Sequence, residues 1–258
     1  MGKLDWVHRD RIGWTDIDQD GLLKFSSMIR FVSAGYAGMF PLLMAGSRAE
    51  YFATHGLQPI VRYVEMAREP DGAKLDAGLS VRFTVRLGFA LDRRSESRRY
   101  GGHDTIRLVD EHGDTLGRWT QHWLWFVPKT GTLLHEPAPG FNADQSEALP
   151  STEAPPRSPM GAEGGRFRWT PRETDSNHHV SASAYLERAE NTLADAKFDT
   201  YRLHRASMWF RHPSLLGDLM TSSFQELDDD TLLVLVTRAE SDELCVTVRL
   251  SGSATSRP

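Results

Sequence analysis

Three polar side chains of different chemistry alternate within one short segment. Asp175, Asn177 and His179 place a carboxylate, an amide and an imidazole within five residues. The segment lies between a predicted strand and a predicted helix. The first N–H groups of a helix have no partners within it, and together with the positive end of the helix dipole they suit the polarisation of a carbonyl oxygen. The spacing therefore indicates a candidate site for chemistry at a carbonyl group.

A structural role accounts for some of the same residues, because Asp and Asn are favoured at helix N-termini. The segment, however, occurs twice, and residues 14–29 align with residues 171–186 at a constant offset of 157. The aligned pairs are Asp18 with Asp175, Asp20 with Asn177, and Leu22 with His179. Since the first copy lacks the imidazole, this asymmetry favours chemistry in the second copy and predicts one active site per chain.

The first copy also matches the beginning of a calcium-binding loop, Asp16-x-Asp18-x-Asp20-Gly21. That loop requires a glutamate at its twelfth position, where this chain has Ser27. The match also follows an apparent strand, whereas the calcium loop follows a helix. These acids are therefore predicted to cap a helix, and no metal site is expected.

Hydrophobic periodicity defines the elements that position these segments. In the first half it predicts a strand over 6–14, a helix over 22–40, a short helix over 47–55, and strands over 79–91, 104–109 and 118–127. In the second half it predicts a strand over 166–170, a helix over 181–197, and strands over 201–211, 218–226, 231–239 and 243–251. Residues 232–236 are all apolar, which is typical of a central strand.

Each half therefore has one strand, one long helix and then three or four antiparallel strands. The predicted fold class is α+β, a double (tandem) hotdog in which a curved antiparallel sheet wraps around a long helix in each half. The predicted domains are an N-terminal half (1–130), a Pro-rich linker (131–164), a C-terminal half (165–251) and a flexible tail (252–258). Two halves of this kind would form a pseudo-dimer within one chain.

Composition narrows the class of protein. A net charge of −5 gives no reason to expect nucleic acid as a partner. The single cysteine, Cys245, cannot form an internal disulfide and is expected to pack as a small apolar side chain. No stretch reaches the roughly 20 apolar residues that cross a membrane, and the N-terminus lacks the apolar centre of a signal peptide. A cytoplasmic protein is expected.

The second segment resembles the motif Asp-x-Asn-x-His-Val-Asn-Asn-x-x-Tyr of the acyl-acyl-carrier-protein thioesterases of plants and bacteria. Here Asp175, Asn177, His179, Val180 and Tyr185 fit, while Ser-Ala replaces the Asn-Asn pair. The first half is similar to that family at residues 18–28 and 122–137. The resemblance covers most of the chain at low identity.

The resemblance implies hydrolysis of an acyl thioester, carried by acyl carrier protein or coenzyme A, to a free fatty acid and a thiol without a cofactor. Asp175, Asn177 and His179 would then be catalytic. Asp175 would act as nucleophile or as general base, and the backbone near Val180 would stabilise an oxyanion. Many members have a further Cys or Glu where this chain has residues 210–218; His212 and Ser214 are the alternatives there. The implied setting is fatty acid biosynthesis and lipid metabolism.

Two other functions stay open on the sequence. One is a hotdog hydratase or dehydratase acting on acyl thioesters, which would release no thiol. The other is a binding protein for acyl thioesters without catalytic activity, since the Asn-Asn pair and the further Cys or Glu are absent. The sequence leaves open the chain length of the acyl group and the association of two pseudo-dimers into a homodimer.

Overall fold

The computed structural model describes most of the chain in both halves. The described residues are 4–18, 20–44, 48–68, 75, 80–92, 99–135, 138–139, 147–148, 161–175, 178–197 and 201–254. Contacts divide the chain into two units. The first unit comprises Met1–Val64 with Asp71–Thr152, and the second comprises Glu65–Pro70 with Glu153–Pro258. Among the described residues, no helix combines the length and the apolar character needed to cross a membrane.

The first unit contains two helices and an antiparallel sheet with a short parallel addition. Its helices are α1 (Phe25–Met44) and α2 (Arg48–His55). Its strands are β1 (Leu4–Arg11), β2 (Gln58–Arg68), β3 (Ser80–Asp92), β4 (Arg99–Val109), β5 (Thr115–Val127), β6 (Thr132–Leu133) and β7 (Glu147–Ala148). The five long strands lie in the order β1-β3-β4-β5-β2, while β6 pairs with β5 and β7 with β3. The last four residues of β2 belong to the second unit.

The second unit repeats this arrangement with one helix, α3 (Ala182–Lys197). Its strands are β8 (Ala162–Arg168), β9 (Tyr201–Phe210), β10 (Leu219–Asp228), β11 (Thr231–Arg238) and β12 (Glu243–Ala254). Their order is β8-β10-β11-β12-β9. Counted along the chain, both units thus place their strands in the order first, third, fourth, fifth, second. The duplication detected in one segment of the sequence therefore extends to the topology of the two units.

Each long helix buries one apolar face against its own sheet. In α1, which packs against β1 and β3, the side chains of Phe25, Met28, Phe31 and Val32 are buried at helical spacing. In α3, which packs against β11 and β12, the buried residues are Ala184, Tyr185, Leu186, Ala189 and Thr192. The helical periodicity in the sequence thus identified both helices, although α1 begins three residues later than predicted and continues to Met44.

The strand predictions succeed where the apolar residues form a continuous run or alternate regularly. Residues 232–236 are buried within β11, which lies between β10 and β12, as expected of a central strand. Strand β2 was missed because its apolar pattern is interrupted in the sequence: the alternating buried positions Val64, Met66 and Arg68 include an arginine, and the neighbouring Tyr63 is buried as well. The first strand ends at Arg11, three residues before the predicted end.

Two predicted irregular segments contain ordered structure. Part of the Pro-rich segment belongs to the core of the first unit, where buried Ala138 packs with Leu57 and Trp125. The hydroxyl of Tyr51 on α2 donates to the carbonyl of Pro139 at 2.8 Å. The predicted tail begins too early, because β12 continues to Ala254 and pairs there with β9. Residues 252–254 therefore belong to the sheet, because they pair with β9 through backbone hydrogen bonds.

Gly102 on β4 leaves room for the indole ring of Trp123 on β5. A Cβ atom at Gly102 would overlap that ring, whose Nε1 donates to Asp104 at 3.0 Å. We expect Gly102→Ala to lower the free energy of unfolding by about 1–3 kcal/mol, because the ring or the strand must move. Urea denaturation measures the change.

Gly35 on α1 provides the control, because a Cβ there would meet only the His8 Cβ at 3.9 Å, an ordinary contact. Gly35→Ala is expected to be neutral or to stabilise by up to about 1 kcal/mol, since alanine favours a helix. Equal losses of stability in the two variants would show that crowding against Trp123 is not the cause.

Candidate active site

The turn that carries Asp175 and His179 is closed by reciprocal hydrogen bonds. The Asp175 N–H donates to the His179 carbonyl at 2.8 Å, and the His179 N–H donates to Asp175 Oδ1 at 3.1 Å. The His178 N–H donates to the Asp175 carbonyl at 3.0 Å. The Asp175 side chain is exposed and His179 is half-buried. The turn therefore brings two of the three predicted catalytic residues together at a surface that a substrate can reach.

The first copy of the turn has the same hydrogen bonds, 157 residues earlier. The Asp18 N–H donates to the Leu22 carbonyl at 2.8 Å, and the Leu22 N–H donates to Asp18 Oδ1 at 2.9 Å. The Gly21 N–H donates to the Asp18 carbonyl at 3.0 Å. Gly21 and His178, at equivalent positions, both have a positive φ, of 78° and 61°. The two turns thus share one backbone conformation.

The shared bonds separate the structural role of residue 179 from any chemical role. They involve only its backbone N–H and C=O, and leucine supplies the same two groups at position 22. The carboxylate of Asp175, by contrast, accepts the His179 N–H in the same way as the carboxylate of Asp18 accepts the Leu22 N–H. The imidazole is therefore not needed to form the turn, whereas the carboxylate contributes to its closure.

The acids that resemble a calcium loop bind backbone N–H groups and one arginine. Asp16 accepts the Gly13 N–H at 2.7 Å and Arg30 Nη2 at 2.7 Å. Asp18 accepts the N–H groups of Asp20 and Leu22. These carboxylates close the turn that precedes α1 and do not cap the helix itself. Within the described ranges, no three His, Cys, Asp or Glu side chains are grouped as metal ligands.

The positive φ of His178 strains the second turn, because side chains with a Cβ rarely adopt this conformation. A β-branched residue tolerates it least. We expect His178→Val to lower the free energy of unfolding by about 1–2 kcal/mol and His178→Gly to change it by less than about 0.5 kcal/mol. Urea denaturation of both variants measures the difference. Equal stability of the valine and glycine variants would contradict a left-handed conformation at this position.

The backbone of Val180 is bound to a second loop. Its N–H donates to the Ser214 carbonyl at 3.0 Å, and His179 forms a β-bridge with Leu215. In this conformation the Val180 N–H has a protein acceptor, which speaks against the predicted role as an oxyanion donor. An oxyanion could use that N–H only after the bond to Ser214 is broken.

A buried cluster lies beneath the turn. Tyr185 on α3 and Trp169 pack edge to face, with ring centroids 5.1 Å apart. Burial raises the pKa of the Tyr185 hydroxyl, so this side chain stays neutral at physiological pH. Burial also raises the pKa of the Cys245 thiol, which is fully buried. Cys245 therefore packs as an apolar residue, as predicted, and is not a nucleophile at neutral pH.

The other sequence candidates are placed as follows. Asn177 lies outside the described residues, so its role stays a prediction. His212 is exposed, and its Nδ1 lies 3.2 Å from Glu243 Oε1. Ser214 is buried and contacts the turn through its backbone. Of the two alternatives for a fourth residue, Ser214 is thus the one next to His179 and Val180.

The first unit contains a buried carboxyl group that the sequence analysis missed. Asp104 on β4 is fully buried, and its Oδ2 accepts Tyr36 Oη at 2.6 Å, Gln121 Nε2 at 2.9 Å and Trp123 Nε1 at 3.0 Å. Burial raises the pKa of Asp104 to about 6, although the three hydrogen bonds act in the opposite direction. An aspartate between histidine and threonine in a strand gave no signal of this burial.

Comparison with solved structures identifies the fold. An acyl-acyl-carrier-protein thioesterase from Bacteroides thetaiotaomicron matches with a TM-score of 0.76 at 13% identity, over 96% of this chain and 98% of that chain. An oleoyl thioesterase from Lactobacillus plantarum matches with a TM-score of 0.76 at 16% identity, over 99% and 98%. A 12:0-acyl-carrier-protein thioesterase from Umbellularia californica matches with a TM-score of 0.75 at 15% identity, over 96% of this chain and 98% of that chain.

The chain has the tandem hotdog fold of these thioesterases. The predicted fold class is thereby confirmed. A MaoC-like dehydratase from Phytophthora capsici also matches over most of its length, with a lower TM-score of 0.58 at 8% identity. No family model and no curated protein sequence matches the chain. At these identities the likeness establishes the tandem hotdog fold, and the chemistry has to be argued from the residues of the turn.

Proposed function

We propose that this tandem hotdog protein hydrolyses acyl thioesters at the Asp175–His179 turn. The observation that supports this most strongly is the comparison of the two turns. They share their backbone hydrogen bonds, yet only the second carries an imidazole, which the turn does not need for its own formation. A polar side chain that the turn does not need for its formation, in the same turn as an exposed carboxylate, is suited to orienting water or a carbonyl oxygen.

The chemistry follows two routes that differ in the role of Asp175. As a general base, the carboxylate takes a proton from water, whose oxygen attacks the thioester carbonyl carbon. As a nucleophile, it attacks that carbon itself and forms an anhydride, which water then cleaves. In both routes the carbon–sulfur bond breaks, the sulfur leaves as a thiol after gaining a proton, and the acid is released. His179 orients the water or the carbonyl oxygen, and Asn177 assists it.

The narrower expectations belong to this proposal. The carrier is acyl carrier protein or coenzyme A: two of the three thioesterases of the same fold are named for acyl carrier protein, and coenzyme A is the alternative from the sequence resemblance. Fatty acid metabolism in the cytoplasm and a homodimer of the two-unit chain are part of the same proposal. Hydrolysis by the groups of the turn requires neither a metal ion nor a redox cofactor.

A panel of acyl-coenzyme A and acyl-carrier-protein thioesters of graded chain length tests the proposal. Thiol release is followed with a colorimetric reagent, and we expect turnover with at least one member. The dehydratase match supplies the main competitor. Hydration of a 2-enoyl thioester without thiol release would replace the proposal with a hydratase. Tight binding of acyl thioesters without turnover would indicate a binding protein.

A further inference from the structure

The candidate active site is held by a loop from elsewhere in the second unit. Residues 213–218 lie between β9 and β10, and two of them pair with the turn through their backbones. Ser214 accepts the Val180 N–H at 3.0 Å, and Leu215 forms the bridge with His179. The position of the His179 backbone therefore depends on where this loop lies, and not only on hydrogen bonds within the turn.

Arg238, the last residue of β11, holds the loop on both sides of these two residues. Its Nη2 donates to the Pro213 carbonyl at 2.9 Å, just before Ser214. Its Nε donates to Asp218 Oδ2 at 3.3 Å, and the same oxygen accepts the Leu215 N–H at 3.0 Å. One guanidinium group thus connects, directly or through Asp218, to the residues on either side of the Ser214 carbonyl.

The guanidinium group is itself fixed in place. Its Nη1 donates to Glu243 Oε2, and Glu243 lies opposite Arg238 in the β11–β12 ladder. The other oxygen of Glu243 lies 3.2 Å from His212 Nδ1, one residue before Pro213. The Arg238 side chain is only 27% exposed. The planar guanidinium can donate to Pro213, Asp218 and Glu243 at the same time, in a geometry that an ammonium group cannot reproduce.

We propose that Arg238 is a positioning residue for His179, acting through residues 213–215. The role concerns the geometry of the turn, while its consequence for catalysis rests on the proposed thioesterase function. Arg238 touches neither the substrate nor the reacting atoms. It holds the Ser214 carbonyl in position to accept the Val180 N–H. It also holds the Leu215 backbone in position to pair with the backbone of His179.

Three variants of the full-length chain test this role. Arg238→Gln removes the guanidinium group, and Arg238→Lys keeps the charge but not its planar shape. Arg205→Gln is the matched control, because Arg205 also forms an ion pair in the second unit, with Glu65 at 2.5 Å, away from the turn. Hydrogen exchange of the Val180 amide, measured by NMR, reports directly on its bond to Ser214.

We expect Arg238→Gln and Arg238→Lys to exchange the Val180 amide about tenfold faster than the wild type, with no change in Arg205→Gln. In thiol release, kcat of both Arg238 variants should fall about tenfold while KM stays within about twofold, since a misplaced catalytic group slows the chemical step. A loss of thermal stability with unchanged kcat would reveal a merely structural role and overturn the proposal. Unchanged exchange of the Val180 amide in Arg238→Gln would also overturn the proposal. Wild-type exchange and kcat in Arg238→Lys would do the same.

The two readouts separate this proposal from the proposed function. If the wild type releases no thiol from any substrate, thioester hydrolysis is wrong. The exchange of the Val180 amide then still decides whether Arg238 orders the turn. Faster exchange in the Arg238 variants supports that role, and unchanged exchange overturns it.

Discussion

Replacement of His179 by alanine is expected to reduce kcat/KM for acyl thioester hydrolysis by about 100-fold or more, with little change in stability. His179 is proposed to orient the water or the carbonyl oxygen, and a displacement of reacting groups by about 1 Å can slow a reaction about 100-fold, which sets this magnitude. Stability should be preserved because the hydrogen bonds of residue 179 within the turn come from its backbone, as those of Leu22 do. Thiol release and thermal denaturation of the same sample measure both quantities.

The carboxylate of the turn allows a stricter comparison between the two copies. Asp175→Asn removes the charge but keeps an oxygen that can accept the His179 N–H, and it should also lower kcat/KM about 100-fold or more. Asp18→Asn makes the same change in the first copy, where Asp18 accepts the Leu22 N–H in the same geometry. We expect the control to retain activity within about twofold, because its turn carries no imidazole.

Three outcomes would contradict this assignment. Full activity in both His179→Ala and Asp175→Asn would place the active site elsewhere. Equal losses in Asp175→Asn and Asp18→Asn would mean that both copies are needed for activity or that the substitution unfolds the turns. Loss of structure in His179→Ala would show that the imidazole supports the fold, contrary to what the leucine in the first copy indicates.

The sequence was most informative where the interactions are local. The turn closes through hydrogen bonds between residues three or four positions apart. Its two copies could therefore be aligned in the sequence, with Asp18 at the position of Asp175 and Leu22 at the position of His179. The helices were likewise predictable, because a single period of buried residues sets each of them. The five long strands of each unit followed with one omission, β2, whose alternating buried positions include Arg68 and are preceded by the buried Tyr63.

Partners that are distant along the chain could not be predicted in the same way. Arg238 meets the carbonyl of Pro213, 25 residues earlier, and the hairpin between β10 and β11 brings them together. The Val180 N–H meets Ser214 because β8 pairs with β10, which brings the segment after β8 close to the loop before β10. In the first unit, Asp104 meets Tyr36 on α1 across 68 residues. No local pattern distinguishes such residues from exposed charges, because their environment exists only after the sheet and helix have packed.

Asp104 is also the basis of an expected pH dependence of the stability of the fold. In the folded chain its carboxyl keeps the proton up to about pH 6, whereas an unfolded chain releases it near pH 4. Between these values, loss of the proton favours the unfolded chain. The free energy of unfolding should therefore fall by about 2 kcal/mol from this group as the pH rises from 4 to 7, and then stay level.

The variant Asp104→Asn removes this titration and keeps an oxygen that can accept the hydrogen bonds of Tyr36, Gln121 and Trp123. Relative to the wild type, the variant should therefore be more stable at pH 7 than at pH 4, by a difference of about 2 kcal/mol. Urea denaturation at the two pH values, followed by tryptophan fluorescence, measures it. An unchanged difference between variant and wild type at the two pH values would mean that the buried carboxyl titrates normally.

Asp16 in the same unit supplies a control of opposite sign. Burial alone would raise its pKa, but hydrogen bonds from the Gly13 N–H, Arg30 and Ser27, with the charge of Arg30, outweigh burial and lower it. Its ionised form therefore stabilises the fold above the pKa of the unfolded chain, and this contribution is lost as the pH falls through the folded pKa. Asp16→Asn should cost more stability at pH 7 than at pH 4. The two buried aspartates of one unit thus differ in the sign of their pH dependence, because Asp16 has an arginine beside it and Asp104 has only neutral donors.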